Sequence, residues 1–134
     1  MENFKKVNNI SGWIVFLIAT VTYLVTMEKT ASLWDCGEFI SAAYKLEVVH
    51  APGAPFFLMM GRIFSLFASD ASQVAIMINS MSALSSSFTI LFLFWTITSF
   101  GRKIYLKDGI IEQSKLIAII GAGAVGSLAY TFSD

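Results

Sequence analysis

Two carboxylates three positions apart, Asp35 and Glu38, stand in the stretch Ser32-Leu33-Trp34-Asp35-Cys36-Gly37-Glu38 of a strongly apolar chain. Paired carboxylates suit acid–base work, because one can accept a proton while its neighbour raises its pKa or orients the acceptor. Further on comes His50, the single histidine, in His50-Ala51-Pro52-Gly53-Ala54-Pro55. His50 can bind a phosphate or position an acceptor. Arg62 can pair with a phosphate at headgroup level, and Lys45 can tune the carboxylates. Each residue also has a plainer reading. Ser32 to Asp35 fits the S-x-x-D capping pattern. Glu38 and Lys45 read equally as solvated charges, His50 as an exposed loop histidine, and Arg62 as a snorkelling side chain. On spacing alone, capping is the simpler reading of Asp35.

Cys36 is the only cysteine, which excludes an internal disulfide and a multi-cysteine metal site. With one histidine a His-rich centre is excluded too, and only carboxylates remain for a hard cation. The residues therefore point to no metal site and no certain cofactor. Formal net charge is zero and no basic patch with interleaved aromatics occurs, so nucleic acid is not an expected partner.

The elements that must position these groups are membrane helices. Of the 134 residues, 56% are hydrophobic and only 13% charged, against about a quarter charged in soluble domains. Residues 7–27, 71–101 and 116–133 carry no charge at all. A bilayer core of about 30 Å needs roughly 20 apolar residues. The pattern predicts an all-α polytopic membrane protein forming one membrane domain over 1–134, with spans at about 11–27, 72–100 and 116–131. Lys5 and Lys6 precede the first span, and Thr26-Met27-Glu28 is not a small-x-small cleavage site, so it reads as uncleaved. The chain ends directly after an apolar helix, as expected of the N-terminal part of a longer protein.

Residues 28–70 are expected outside the cytoplasm. Lys5 and Lys6 on one side, and Arg102, Lys103, Lys107 and Lys115 on the other, place both flanks in the cytoplasm by the positive-inside bias. Asp108 and Glu112 weaken that bias only slightly. Two crossings satisfy it and three do not, so the apolar stretch at 54–68 rests at the interface. That stretch is short and carries Arg62 mid-way, both unfavourable for crossing. A helix over 33–47 would place Asp35, Glu38, Ala42 and Lys45 on one face and Phe39, Ala43 and Leu46 on another. Pro55 suits a first helical turn. Gly121-Ala122-Gly123-Ala124-Val125-Gly126 matches G-x-G-x-x-G, but no strand precedes it. Ala118, Ala122 and Gly126 read instead as a small-residue face for close helix packing. Asn79 and the serines at 82, 85, 86 and 87 read as interhelical hydrogen-bonders.

The order of these features resembles the GT-C membrane glycosyltransferases. In those enzymes a first span leads into extracytoplasmic jaw helices carrying an essential acidic residue. Two segments, Thr30 to Phe39 and Val48 to Pro55, are similar to a bacterial family related to the eukaryotic protein O-mannosyltransferase called transmembrane protein 260. That family usually reads His-Pro-Pro-Gly where this chain has His50-Ala51-Pro52-Gly53. The resemblance implies transfer of a mannose-like sugar from a polyprenyl-phosphate donor to a hydroxyl of a protein or other acceptor. It implies Asp35 as catalytic base with Glu38 as its acidic companion, two jaw-like helices, and a bacterial inner-membrane location with the active loop periplasmic. Membrane lipid, the lipid-linked sugar and a protein acceptor are the implied partners. The isolated chain is expected to be inactive, having too few helices to enclose a donor lipid. A transporter or channel subunit with an acidic vestibule is the alternative, and an assembly protein with a partner-binding loop is a third. A transport site, however, belongs near the bilayer midplane.

Overall fold

The computed structural model describes residues 2–51, 53–105 and 112–133, and every regular element among them is helical. In chain order these are α1 (Glu2–Thr26), α2 (Cys36–Lys45), α3 (Pro55–Ser65), a single 3-10 turn (Ala71–Gln73), α4 (Val74–Tyr105) and α5 (Gln113–Thr131). Three of them, α1, α4 and α5, are long and apolar enough to cross a membrane. The 11-residue α3 is about 16 Å long and cannot. Lys107 and Asp108 of the expected basic loop, and Pro52 of the expected rigid turn, lie outside the described residues.

The chain packs as two units. The first comprises Met1–Tyr23 and Ser85–Asp134. Its core is Val15 and Ala19 of α1 against Ile90 and Phe94 of α4. Phe4, Val15 and Ala19 are buried, whereas Ile10, Ile14, Leu17 and Val21 are exposed. An apolar face turned away from the protein core is what lipid solvent permits and water penalises. Hydroxyls in the apolar helices bond their own backbone: Thr20 Oγ1 donates to the Phe16 carbonyl, Thr96 Oγ1 to Phe92 and Ser127 Oγ to Gly123.

Close packing in this unit is tightest at two positions with no side chain. A Cβ on Gly12 would lie 2.6 Å from Trp95 Nε1, and one on Gly123 would lie 2.6 Å from Thr98 Cγ2. The small-residue face of α5 is therefore set one position round from expectation. Ile119, Gly123, Ser127 and Thr131 are the buried stripe, while Ala118 and Ala122 are exposed. Gly126 sits beside this stripe, where an added Cβ would meet Ile97 Cδ1 at 2.8 Å.

The second unit, Leu24–Leu84, holds the polar segment. Its core joins Ile40 and Ala43 of α2, Val49, Leu58 of α3, and Ile78 and Met81 of α4. A Cβ on Gly61 would stand 2.9 Å from the Ala43 Cβ, so α2 and α3 touch at backbone distance there. The next residue locks the contact: Arg62 Nη1 donates to the Tyr44 carbonyl at 2.6 Å, and its guanidinium lies 5.5 Å from the centre of the Tyr44 ring. Asn79 does not bridge two helices. Its Nδ2 donates to the carbonyls of Glu28 (2.8 Å) and Thr30 (3.0 Å), fixing the segment that follows α1.

Candidate functional site

The site is built at the two ends of α2. The helix begins one residue after Asp35, which occupies the N-cap position without a side-chain capping bond. Ser32 lies in the non-helical stretch before it. The capping box is thus not formed, and the Asp35 carboxylate is not consumed by α2. A helix N-terminus favours negative charge nearby, and the Asp35 side chain stands at that end of α2. Trp34, just before it, holds φ at 69°, a left-handed conformation disfavoured for a bulky residue. The residue is 94% exposed. The sharp turn at Trp34 is what separates Asp35 from the preceding chain.

At the other end, α2 stops at Lys45 rather than near Glu47, because Leu46 adopts the left-handed conformation (φ 57°, ψ 41°). The Glu47 N–H then donates back to the Ala42 carbonyl at 2.9 Å. The chain reverses there, buries Val49 and returns His50 to the first turn of α2. The His50 backbone N–H donates to Glu38 Oε1 at 3.0 Å, and its Nδ1 lies 3.0 Å from Glu38 Oε2. An ionised carboxylate only accepts, so Nδ1 carries the hydrogen in that contact. Nε2 is left on the Asp35 side, 3.9 Å from Asp35 Oδ2. That is too long for a hydrogen bond but within ionic contact. Phe39 meets the imidazole edge-on at 6.0 Å.

Electrostatics follow this geometry. The His50 backbone N–H, and then its ring, hold Glu38 below the usual carboxylate range. The hydrogen bond to Glu38, then its charge and more weakly that of Asp35, raise His50 above 6.5. The imidazolium is thereby favoured between two carboxylates. All three side chains remain about half exposed, so the group is open to a substrate.

Asp35, Glu38 and His50 therefore converge. Lys45 does not join them. It lies ten positions along from Asp35, about 15 Å by helix rise, and pairs with Glu47 at 3.9 Å. Arg62 is committed to Tyr44. Ala42, expected on the carboxylate face, is buried in the core instead. Other carboxylates are used locally. Glu28 is held below its usual range by the Thr30 hydroxyl and nearby backbone N–H groups, and Asp70 by the side chain and backbone of Ser72. Gly61 and Trp34 carry structural weight that the sequence did not announce. A glycine amid apolar helical residues was the available signal for Gly61; nothing signalled the conformation of Trp34.

Residues 35–134 match the family described as the protein O-mannosyl-transferase TMEM260 N-terminal domain. A curated relative, the protein O-mannosyl-transferase tmem260 of Dictyostelium discoideum, is 34% identical over 85 residues. That alignment covers 63% of this chain and 10% of the relative, so the chain spans about a tenth of that protein's length. No solved structure matches.

Proposed function

From the chain's membership of the TMEM260 N-terminal domain family, to which it belongs over residues 35–134, we propose that it forms the catalytic-loop part of a membrane O-mannosyltransferase. The donor is a polyprenyl-phosphate-linked, mannose-like sugar. The acceptor is a hydroxyl of a protein, and the loop faces the extracytoplasmic side of a bacterial inner membrane. The observation that carries this reading is the Asp35 carboxylate, uncapped and exposed at the start of α2, with His50 held against it by Glu38.

In this reading Asp35 takes the proton of the acceptor hydroxyl as its oxygen attacks the anomeric carbon. The bond from that carbon to the donor phosphate breaks, and the phosphate leaves with the electron pair on its lipid. The proton on Asp35 then passes to water. Glu38 acts through His50: it fixes the imidazole and favours its charged form, which sets a cation beside the Asp35 carboxylate. His50 is also the cation beside Asp35, and a charge-assisted donor there would stabilise the charge that develops on the departing phosphate. Arg62 and Lys45 serve the frame around this group. The exposed apolar side chains Phe56, Met59 and Ile63 of α3, with Phe67 just after it, suit a helix lying at the membrane surface.

The transporter reading has less support, because Asp35 just before α2, Glu38 on it and His50 after it all lie outside the long helices. The test is transfer by the full-length protein in lipid vesicles. It is given polyprenyl-phosphate mannose and a serine-containing peptide, and the glycopeptide is detected by mass. Sugar on the peptide is the expected result. Movement of the donor across the bilayer without any glycopeptide would overturn the reading.

A further inference from the structure

We propose that the first unit carries a binding site for one anionic phospholipid, formed where α1 begins and α4 ends. A cavity of about 690 Å³ opens there between Lys5, Asn8 and Asn9 of α1 and Ser99, Arg102 and Lys103 of α4. Three cations converge on it, and none of the described residues lining it is acidic. The Arg102 guanidinium rests 5.4 Å from the centre of the Phe4 ring, a cation–π contact that holds it at the cavity wall.

The level of the cavity matters. Charge ends at Lys6 on α1 and resumes at Arg102 on α4, so the cavity sits at the edge of the uncharged stretch. In a bilayer that edge is the headgroup level, where lipid phosphates lie. Asn8, Asn9 and Ser99 add hydrogen-bonding groups suited to phosphate oxygens and glycerol hydroxyls.

A second cavity, about 290 Å³, shares Ser99 and Lys103 with the first and runs along α4 past Phe92, Trp95 and Phe100. From Phe100 back to Phe92 the helix descends about 12 Å towards its uncharged middle. A free phosphate would occupy only part of the basic cavity and leave this aromatic groove unused. A phospholipid fills both, with its phosphate among Lys5, Arg102 and Lys103 and an acyl chain against the rings. The site requires neither Asp35 nor a sugar donor, so it stands apart from the transfer reaction proposed above.

The experiment is native mass spectrometry of the full-length protein, released from detergent after titration with phosphatidylglycerol or phosphatidylcholine. A saturable single adduct with phosphatidylglycerol, and much weaker retention of phosphatidylcholine, is expected. Each cation near a membrane surface contributes about fivefold to attraction, so the double variant Lys5→Gln/Lys103→Gln should weaken that adduct roughly thirtyfold. Lys5→Arg/Lys103→Arg should retain it, which separates lost charge from lost folding. Phe100→Ala should weaken the adduct without changing its preference for the anionic headgroup. Equal retention of the two lipids, or an unchanged adduct in the Gln variant, would overturn the proposal. So would displacement of the lipid by inorganic phosphate alone, which would make the ligand a free anion.

Discussion

Gly61→Ala tests the contact on which the candidate site is framed. The new methyl would lie 2.9 Å from the Ala43 Cβ, whereas carbon atoms rest at about 3.5–4.0 Å. Neither atom is the end of a flexible side chain, so α2 and α3 must part by roughly 0.6–1 Å. Overpacking of this kind costs about 1–3 kcal/mol, and alanine's better helix propensity returns about 1 kcal/mol. The single variant alone is therefore a blunt test, and the double-mutant cycle with Ala43→Gly is the sharp one. Removing the Ala43 methyl relieves the clash created at position 61, so the cycle isolates the contact. The expected coupling is about 1–2 kcal/mol in favour of the double variant. Hydrogen exchange of the α2 amides in the full-length protein reads the local opening energy. Exchange should speed up in Gly61→Ala and recover in the double variant. A coupling within about 0.5 kcal/mol of zero would refute the backbone-distance packing of α2 on α3.

Three further outcomes follow from other contacts. The imidazole of His50 should titrate above 6.5 and Glu38 below 4.5. The stabilisation from His50 is then complete below 6.5 and fades as pH rises through its raised pKa, while that from Glu38 is complete above 4.5 and fades as pH falls through its lowered one. NMR of labelled histidine should show the His50 value falling back towards 6.5 in Glu38→Gln, and no change there would sink the pairing. Asn79→Leu removes both hydrogen bonds to the Glu28 and Thr30 carbonyls, at about 1–2 kcal/mol in total. Faster proteolysis between residues 28 and 34 is the expected sign, and an unchanged cleavage rate contradicts the clamp. Gly123→Val brings a branched side chain to where even a Cβ lies 2.6 Å from Thr98 Cγ2. It should destabilise the packing of α5 on α4 by about 1–3 kcal/mol or more, read as a lower thermal midpoint; an unchanged midpoint would show that α5 does not pack there.

The membrane helices were legible because uncharged length is a one-dimensional property. The long apolar runs of α1, α4 and α5 and the shortness of α3 could be read off directly. Pro55 marked the start of α3 for an equally local reason, its preset φ. What could not be read depended on backbone conformations the residue types do not favour. Leu46 carries no sign of a left-handed helix end, so the pattern extends α2 to Glu47; helical spacing likewise groups Ala42 with the carboxylates, although it packs in the core beside Ala43. The same reversal brings His50 back to Glu38 across twelve positions of sequence. Spacing alone joined Asp35 to Glu38 but could not join either to His50. On α5, glycine and alanine are both small, and composition could not say which small stripe faces α4; Ile119, set in line with Gly123 and Ser127, decides it.

The central claim is that Asp35 receives the acceptor proton, and transfer by the full-length Asp35→Asn variant tests it most directly. Asparagine keeps the size and the place at the start of α2 but cannot act as a base. With hydrogen exchange of α2 unchanged, transfer from polyprenyl-phosphate mannose should fall by about 10²–10⁴-fold, and Asp35→Glu should recover part of it. Full transfer by the Asn variant would contradict the assignment.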